Sequence, residues 1–127
     1  DSVILSTKRT PSDGPHVSSK KEFVEKVEDS FRALGTDYID IMNFHGVLPD
    51  EYDYVVGELL PELLKLKDAG AIGHIGITEI FDRDRDHRML QKAVQDDCWD
   101  VMMVGFNLVN QSAGKSIFPL LWRKTSG

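Results

Sequence analysis

Three polar residues and one five-residue stretch stand at the ends of apolar runs, and α/β proteins commonly place their chemistry at such positions. Lys8 ends "SVILSTK", His45 ends "YIDIMNFH", Thr78 ends "AIGHIGIT", and 103–107 closes "DVMMVGFN". A lysine there supplies a positive charge, and a histidine supplies a hydrogen bond or a proton. Each also has a simpler interpretation, because strand-end lysines are usually solvated and single histidines are usually structural. The arrangement of the four runs therefore decides whether they form a site.

Segments with a helical pattern separate the four runs. Helices are predicted at 19–35, at about 53–67, over 84–95 and at about 115–122. Ser19 and Glu22 form a capping box at the first of these, and Gly35 stands where a C-terminal stop belongs. Pro61 is expected to kink the second helix. The loop between the first run and the first helix is rich in Pro, Gly and Asp and is predicted to lack regular structure.

The order βαβαβαβα, with strands that are apolar almost throughout, predicts a parallel sheet between layers of helices. Right-handed crossovers then place the carboxyl ends of all four strands at one edge. Lys8, His45, Thr78 and 103–107 are expected to meet there, where barrels and doubly wound sheets form their sites. Asp40, inside the second strand, is expected to be a structural hydrogen-bonding carboxylate rather than a catalyst.

Composition limits the class of protein. The 127 residues are 41% hydrophobic, which suits one modest domain over 1–127. The net charge of −6 repels phosphate groups, so neither nucleic acid nor an anionic membrane surface is expected as a partner. The sole cysteine, Cys98, fits a reducing compartment, and no run has transmembrane length or the pattern of a signal peptide. These features predict a cytoplasmic protein.

Four blocks of the sequence resemble, in order and separation, the middle of an aldo-keto reductase. They are "VILSTK", "DSFRALGTDYIDIMNFHG", "LLKLKDAGAIGHIGIT" and "VMMVGFNLVN", and together they cover nearly the whole chain. The resemblance, closest to the sugar and galactose dehydrogenase branch, implies an α/β fold of the (β/α)₈ barrel class. This chain would supply about four central βα units of that barrel.

The resemblance also implies an activity, the transfer of hydride between NADPH, or NADH, and a carbonyl or sugar substrate. The family uses a Tyr, Lys, His and Asp tetrad, in which Lys8 would be the lysine and His45 the histidine. A nearby ammonium lowers the pKa of a tyrosine from about 10, so that the phenol can protonate a developing alkoxide. A neutral imidazole donates a hydrogen bond to the carbonyl oxygen and orients it.

Three positions correspond to the family's nicotinamide contacts, but two of them depart from its pattern. Thr78 matches a hydroxyl position, and it could equally cap the following turn. Glu79 stands where Asn is usual, and Met103 stands where Gln is expected. Both substitutions are expected to weaken the carboxamide contacts.

Other motifs carry no prediction of function. "AGKS" at 113–116 lacks the glycines of a P-loop, and "DRDRDH" at 82–87 has His87 where a calcium loop needs glycine. "GAIGHIG" leads into a strand and has the wrong spacing for a dinucleotide fingerprint. The four histidines lack the spacing of metal ligands, so no metal site is expected.

Two interpretations stay open. In the first, the chain is a segment of an oxidoreductase that is inactive alone, because the stretches that carry the family's Tyr, Asp and phosphate contacts are not found in it. In the second, it is a reductase-like binding or regulatory module. A half-barrel would also expose two sheet edges, so self-association is expected.

Overall fold

The four apolar runs form one parallel sheet. The computed structural model describes residues 2–126, with strands in chain order β1 (Ser6–Arg9), β2 (Ser12–Asp13), β3 (His16–Val17), β4 (Ile39–Val47), β5 (Ile72–Glu79) and β6 (Val101–Met103). The sheet order is β1-β4-β5-β6, and all three pairings are parallel. The predicted succession of parallel βα units is therefore present.

Helices connect these strands. They are α1 (Lys20–Leu34), α2 (Tyr52–Tyr54), α3 (Leu60–Asp68), α4 (Arg88–Ala93), α5 (Ala113–Ser116) and α6 (Phe118–Thr125). The capping box is present, with the Ser19 hydroxyl accepting from Glu22 N and the Glu22 carboxylate accepting from Ser19 N. Gly35 ends α1 in the left-handed region, at φ 63°. Within residues 2–126, no helix is long and apolar enough to cross a membrane.

The second predicted helix is continuous, but it contains a π-helical turn instead of a simple proline kink. Val55–Leu59 forms this turn between α2 and α3, and Leu60 N donates to Val55 O, five residues back. Pro61 lies in the first turn of α3. Pro61 has no N–H to donate inside this continuous helix, and the π-helical turn lies directly before it, where the hydrogen-bond spacing changes.

The strands at both edges of the sheet are shorter than predicted. β1 begins at Ser6 rather than at residue 2, and the side chains of Val3 and Ile4 are exposed. β6 ends at Met103, because the next amide that could extend the ladder, Gly105 N, donates to a carboxylate instead. The predicted irregular loop contains the hairpin of β2 and β3, which turns through Gly14 at φ 59°.

The third and fourth helices also have different bounds from those predicted. The third was predicted over 84–95, but α4 begins at Arg88, since His87 adopts left-handed backbone angles, φ 57° and ψ 33°. The last helix is divided into α5 and α6 near Ile117. Pro119, in the first turn of α6, cannot donate the amide bond that would join them.

The helices and the βα connections cover one face of the sheet. There the Phe44 ring of β4 stacks on Phe23 of α1, with centroids 4.9 Å apart, and meets Trp99 edge-on at 5.8 Å. Burying a side chain of this size contributes roughly 1.5–3 kcal/mol. This packing fixes which side of β4 faces the helices and therefore which side faces the opposite way.

Candidate active site

Alternation along the strands places Lys8 and His45 on the sheet face that points away from the helices. Their strand neighbours point the other way, since Arg9 Nε donates to Ser30 Oγ of α1 at 2.6 Å and Phe44 packs against α1. Successive side chains of a strand lie on opposite faces. Lys8 and His45 therefore share one face of the sheet, which is called the inner face below.

Thr78 joins His45 at the carboxyl edge of the sheet. The Thr78 hydroxyl lies 3.2 Å from His45 Nδ1 and accepts a hydrogen bond from Gly46 N at 2.8 Å. Thr78 is only 3% exposed. The hydroxyl thus holds the ends of β4 and β5 together and restrains the imidazole ring.

The backbone at Gly46 allows this close approach. Gly46 has φ 64°, and a Cβ atom at this residue would lie 2.8 Å from Ile80 Cγ1. Both facts require glycine here. The register shift between Phe44 and Val47 of β4 accompanies the bond from the Gly46 amide to Thr78, next to His45.

The environment of His45 favours its neutral form. Partial burial lowers the pKa of the imidazole below its usual 6.5, and the positive charge of Lys8 lowers it further. A neutral ring keeps one N–H to donate. His45 is therefore suited to hydrogen-bond a carbonyl oxygen near neutral pH.

The two strand-end residues at the sheet edges are more open. Lys8 is exposed on β1, although its charge acts on His45. Met103 is 54% exposed on β6 and lies in register with Thr78. The structure thus places Lys8, His45, Thr78 and Met103 at neighbouring strand ends, with Thr78 in direct contact with His45.

Glu79 points into the protein interior. Its side chain is 2% exposed, and its two carboxylate oxygens lie 2.9 and 2.8 Å from Nδ1 of His87, which is fully buried. Oε1 also accepts from Gly105 N at 2.6 Å. Glu79 was predicted to occupy a cofactor-contact position, and both of its carboxylate oxygens have partners within the chain.

A cleft of about 300 Å³ opens beside His45. The hairpin of β2 and β3 forms one side of it, and the loop after β5 forms the other. Its polar lining consists of Thr10, Ser12, His45, Asp82 and Arg83. Hydroxyl, carboxylate and guanidinium groups thus line the same cleft as the imidazole.

Deeper polar groups of β4 support this edge of the sheet. Asp40 Oδ2 accepts from Leu5 N at 2.8 Å, which agrees with the expected structural role. Asn43 Nδ2 donates to Thr7 O at 2.9 Å, and a Cβ atom on Gly76 would lie 2.0 Å from Asn43 Oδ1. These contacts fix the spacing of β1, β4 and β5 below His45.

Sequence reasoning missed the buried group around His87. It noted this residue only as a mismatch to a calcium loop, yet His87 contacts Glu79 and, at 2.8 Å, Ser112 Oγ. One available signal was Glu79, which directly follows the apolar run ending at Thr78, because a buried carboxylate requires a partner. No group of three metal-ligating side chains occurs among residues 2–126.

The sequence is similar to known proteins. The model of the Aldo/keto reductase family matches residues 1–124. Over 54 residues, 42% of this chain, the sequence is 37% identical to an L-galactose dehydrogenase of Arabidopsis thaliana, of which that stretch is 17%.

Solved structures show the same fold. An aldo-keto reductase from Bacillus halodurans in its holo form is 26% identical with a TM-score of 0.69, covering 95% of this chain and 38% of that one. An aldo/keto reductase from Klebsiella pneumoniae, solved in complex with NADP and acetate, has a TM-score of 0.69 at 21% identity, covering 97% of this chain and 39% of that one.

These matches confirm the predicted fold class. It is a (β/α)₈ barrel, of which these residues supply about four βα units, and the chain spans less than two fifths of the two solved structures. The family model covers almost the whole sequence. The chain therefore belongs to the aldo/keto reductase family.

Proposed function

We propose that residues 1–127 are part of the catalytic domain of an NAD(P)H-dependent oxidoreductase. The reaction would transfer hydride between a nicotinamide cofactor and an aldehyde, a ketone or a sugar hydroxyl. The observation that carries this proposal is the shared inner face of Lys8 and His45, at adjacent strand ends of a chain from this family. A cytoplasmic location is proposed with it, on the strength of the free Cys98.

His45 would bind the carbonyl oxygen of the substrate. Its lowered pKa keeps the ring neutral, and the Thr78 hydroxyl contacts Nδ1, which leaves Nε2 facing away from that bond. When the Thr78 O–H donates to Nδ1, the proton of the neutral ring lies on Nε2. That N–H is then the donor for a substrate oxygen.

Lys8 would act on the acid that protonates the same oxygen. A positive charge stabilises the ionised form of a neighbouring phenol and so lowers its pKa. Lys8 is exposed in these 127 residues, so this role requires the complete polypeptide to cover it. Solved relatives are more than twice as long as this chain, which gives room for such cover.

The proposed cofactor is NADP(H), with NAD(H) as the second candidate, and it would supply or accept the hydride. The residues present fit it in part. Met103 offers exposed apolar surface to a nicotinamide ring at the strand end beside Thr78. Glu79 is turned inward, and the side chain of Met103 has no amide group. The carboxamide contacts expected for the family would therefore be weak here. The Klebsiella pneumoniae neighbour, which holds NADP, supports the choice at the level of the fold.

The test is NADPH consumption by the complete polypeptide with a panel of aldehydes, ketones and sugars. Turnover that His45→Ala reduces, while His16→Ala leaves it unchanged, supports the proposal; His16 is the matched control because its side chain is exposed, 61%, on the hairpin. The alternative function is an inactive reductase-like binding or regulatory module. Binding of NADPH without turnover of any panel member would favour that module.

A further inference from the structure

We propose that His87 is a buried imidazolium and acts as a positioning residue. Through Glu79, it would fix the chain that follows β6 beside the proposed nicotinamide site. The positional part of this inference rests on the proposed function, whereas the charge state of His87 does not.

A continuous hydrogen-bonded chain carries the argument. It runs from Gly105 N to Glu79, from Glu79 to His87 Nδ1, and from His87 Nε2 to Ser112 Oγ, at 2.6, 2.8 and 2.8 Å. Glu79 and His87 are withdrawn from solvent, and the Phe81 ring stacks on the imidazole at 5.5 Å. The end of β5, the segment after β6 and the start of α5 are thus connected through Glu79 and His87.

The hydroxyl proton of Ser112 is directed away from His87. Ser112 Oγ lies 2.5 Å from Asn110 Oδ1, and Oδ1 also accepts from Ser112 N at 3.0 Å, which identifies this atom as the oxygen of the amide. A hydroxyl has one proton, and the acceptors that it meets are Asn110 Oδ1 and, at 3.3 Å, Arg85 O. The short contact between Ser112 Oγ and His87 Nε2 therefore needs a proton on Nε2.

The other side of the ring requires a second proton. Both Glu79 oxygens lie within 2.9 Å of Nδ1, and Oε1 takes an additional backbone N–H from Gly105. The Gly105 N–H donates to this carboxylate, and the ring nitrogen lies at the distance of an ion pair from both oxygens, which suits the ionised form of Glu79. Nδ1 is then a donor as well, and a ring with two donors is an imidazolium.

The surrounding charges agree with this assignment. An ionised carboxylate with a 2% exposed side chain needs a neighbouring positive charge, and His87 is the group in direct contact with Glu79. The other buried carboxylate nearby, Asp84, accepts from Arg88 N and Met89 N at the start of α4 and lies 3.5 Å from the Arg88 guanidinium. Asp84 is thus balanced by α4, and Glu79 is balanced by His87.

The same proton arrangement excludes a nucleophilic role for the Ser112, His87 and Glu79 set, although its spacing resembles a catalytic triad. A general base must accept the serine proton, and a protonated Nε2 cannot accept it. The pair holds backbone instead. Gly105 N is bound by Glu79, and a Cβ atom on Gly105 would lie 2.6 Å from Phe81, so this backbone sits directly beside the buried group.

The first experiment measures protonation directly. In the complete polypeptide labelled with ¹⁵N-histidine, both His87 nitrogens should show protonated chemical shifts at about pH 7.5. Glu79→Gln should convert them to those of a neutral ring, and Glu22→Gln, which changes the exposed His16–Glu22 pair, should leave them unchanged. A neutral His87 in the unmodified protein, or acylation of Ser112 by p-nitrophenyl acetate, would overturn the proposal.

The second experiment measures the positional effect. Glu79→Gln should raise the KM for NADPH several-fold and change kcat less, while the amide of Gly105 exchanges faster with solvent. Equal KM values and equal exchange in the two proteins would reject the positioning role. A protonated His87 in a protein that does not react with NADPH would refute the proposed function and leave the charge assignment standing. A neutral His87 in an active enzyme would refute the charge assignment and leave the proposed function standing.

Discussion

Replacing Thr78 with Val tests the contact on which the site geometry depends. Valine keeps the branched shape of threonine but has a methyl group in place of the hydroxyl. The change removes the acceptor of Gly46 N at 2.8 Å and the partner of His45 Nδ1 at 3.2 Å. We expect Thr78→Val to destabilise the complete polypeptide and to loosen the orientation of His45.

The magnitude follows from burial. Thr78 is 3% exposed, so water cannot replace the lost acceptor without a structural change. A buried amide left without a partner costs about 1–3 kcal/mol. The bond to His45 adds less, because His45 is only partly buried and can turn toward solvent.

Urea unfolding measures the stability loss, and hydrogen exchange at the Gly46 amide assigns it to a residue. Thr78→Ser is the matched control, since it keeps the oxygen and removes one methyl group, at roughly 0.8 kcal/mol. The Gly46 amide should exchange faster in Thr78→Val and at the original rate in Thr78→Ser. A Thr78→Val protein that retains its stability and its Gly46 protection would refute the reasoning.

Three further predictions follow from packing, protonation and the sheet edges. Gly76→Ala should destabilise the protein by about 1–3 kcal/mol in urea unfolding, because its new methyl would lie 2.0 Å from an amide oxygen. The His45→Gln protein should lose less stability than the original between about pH 7.5 and 5. The folded-state pKa of His45 is lowered, so the unfolded state binds more protons there and the original protein weakens as pH falls. The 127 residues alone should self-associate in light scattering, through the free edges of β1 and β6.

Each of these has its own control or contrary outcome. Gly57→Ala should be neutral or stabilising by up to about 1 kcal/mol, since it lies in the π-helical turn with nothing within 4 Å. A His45→Gln protein with the same pH dependence of stability as the original would contradict the role of burial at His45. A monomer that persists at high concentration and unfolds cooperatively would show that the sheet edges are sealed.

The sequence predicted the part of the site that depends on periodicity and chain order. Lys8, His45 and Thr78 each end an apolar run, and parallel strands bring such ends to one edge. The capping box at Ser19 and the glycine stop at Gly35 depend on residues three or fewer positions from the helix ends. Local patterns of this kind can be read from one sequence.

The sequence could not predict contacts that depend on which surfaces face each other. Glu79 and His87 meet because His87 adopts left-handed backbone angles, which a non-glycine residue seldom takes and a helical pattern does not suggest. The early end of β6 also depends on a contact between separate segments, since Gly105 N donates to the Glu79 carboxylate of β5. The exposure of Lys8 likewise depends on what packs over the inner face of the sheet.

The most direct test of the central claim is hydride transfer by the complete polypeptide carrying Lys8→Met. Lys21→Met is the matched control, because the Lys21 side chain is 87% exposed on α1 and its ion-pair partner is Glu25 of the same helix. With NADPH and a carbonyl substrate, Lys8→Met should lower kcat by about a hundredfold or more, and Lys21→Met should leave it unchanged. Equal turnover in the original protein and in Lys8→Met would contradict the assignment of Lys8 to the active site.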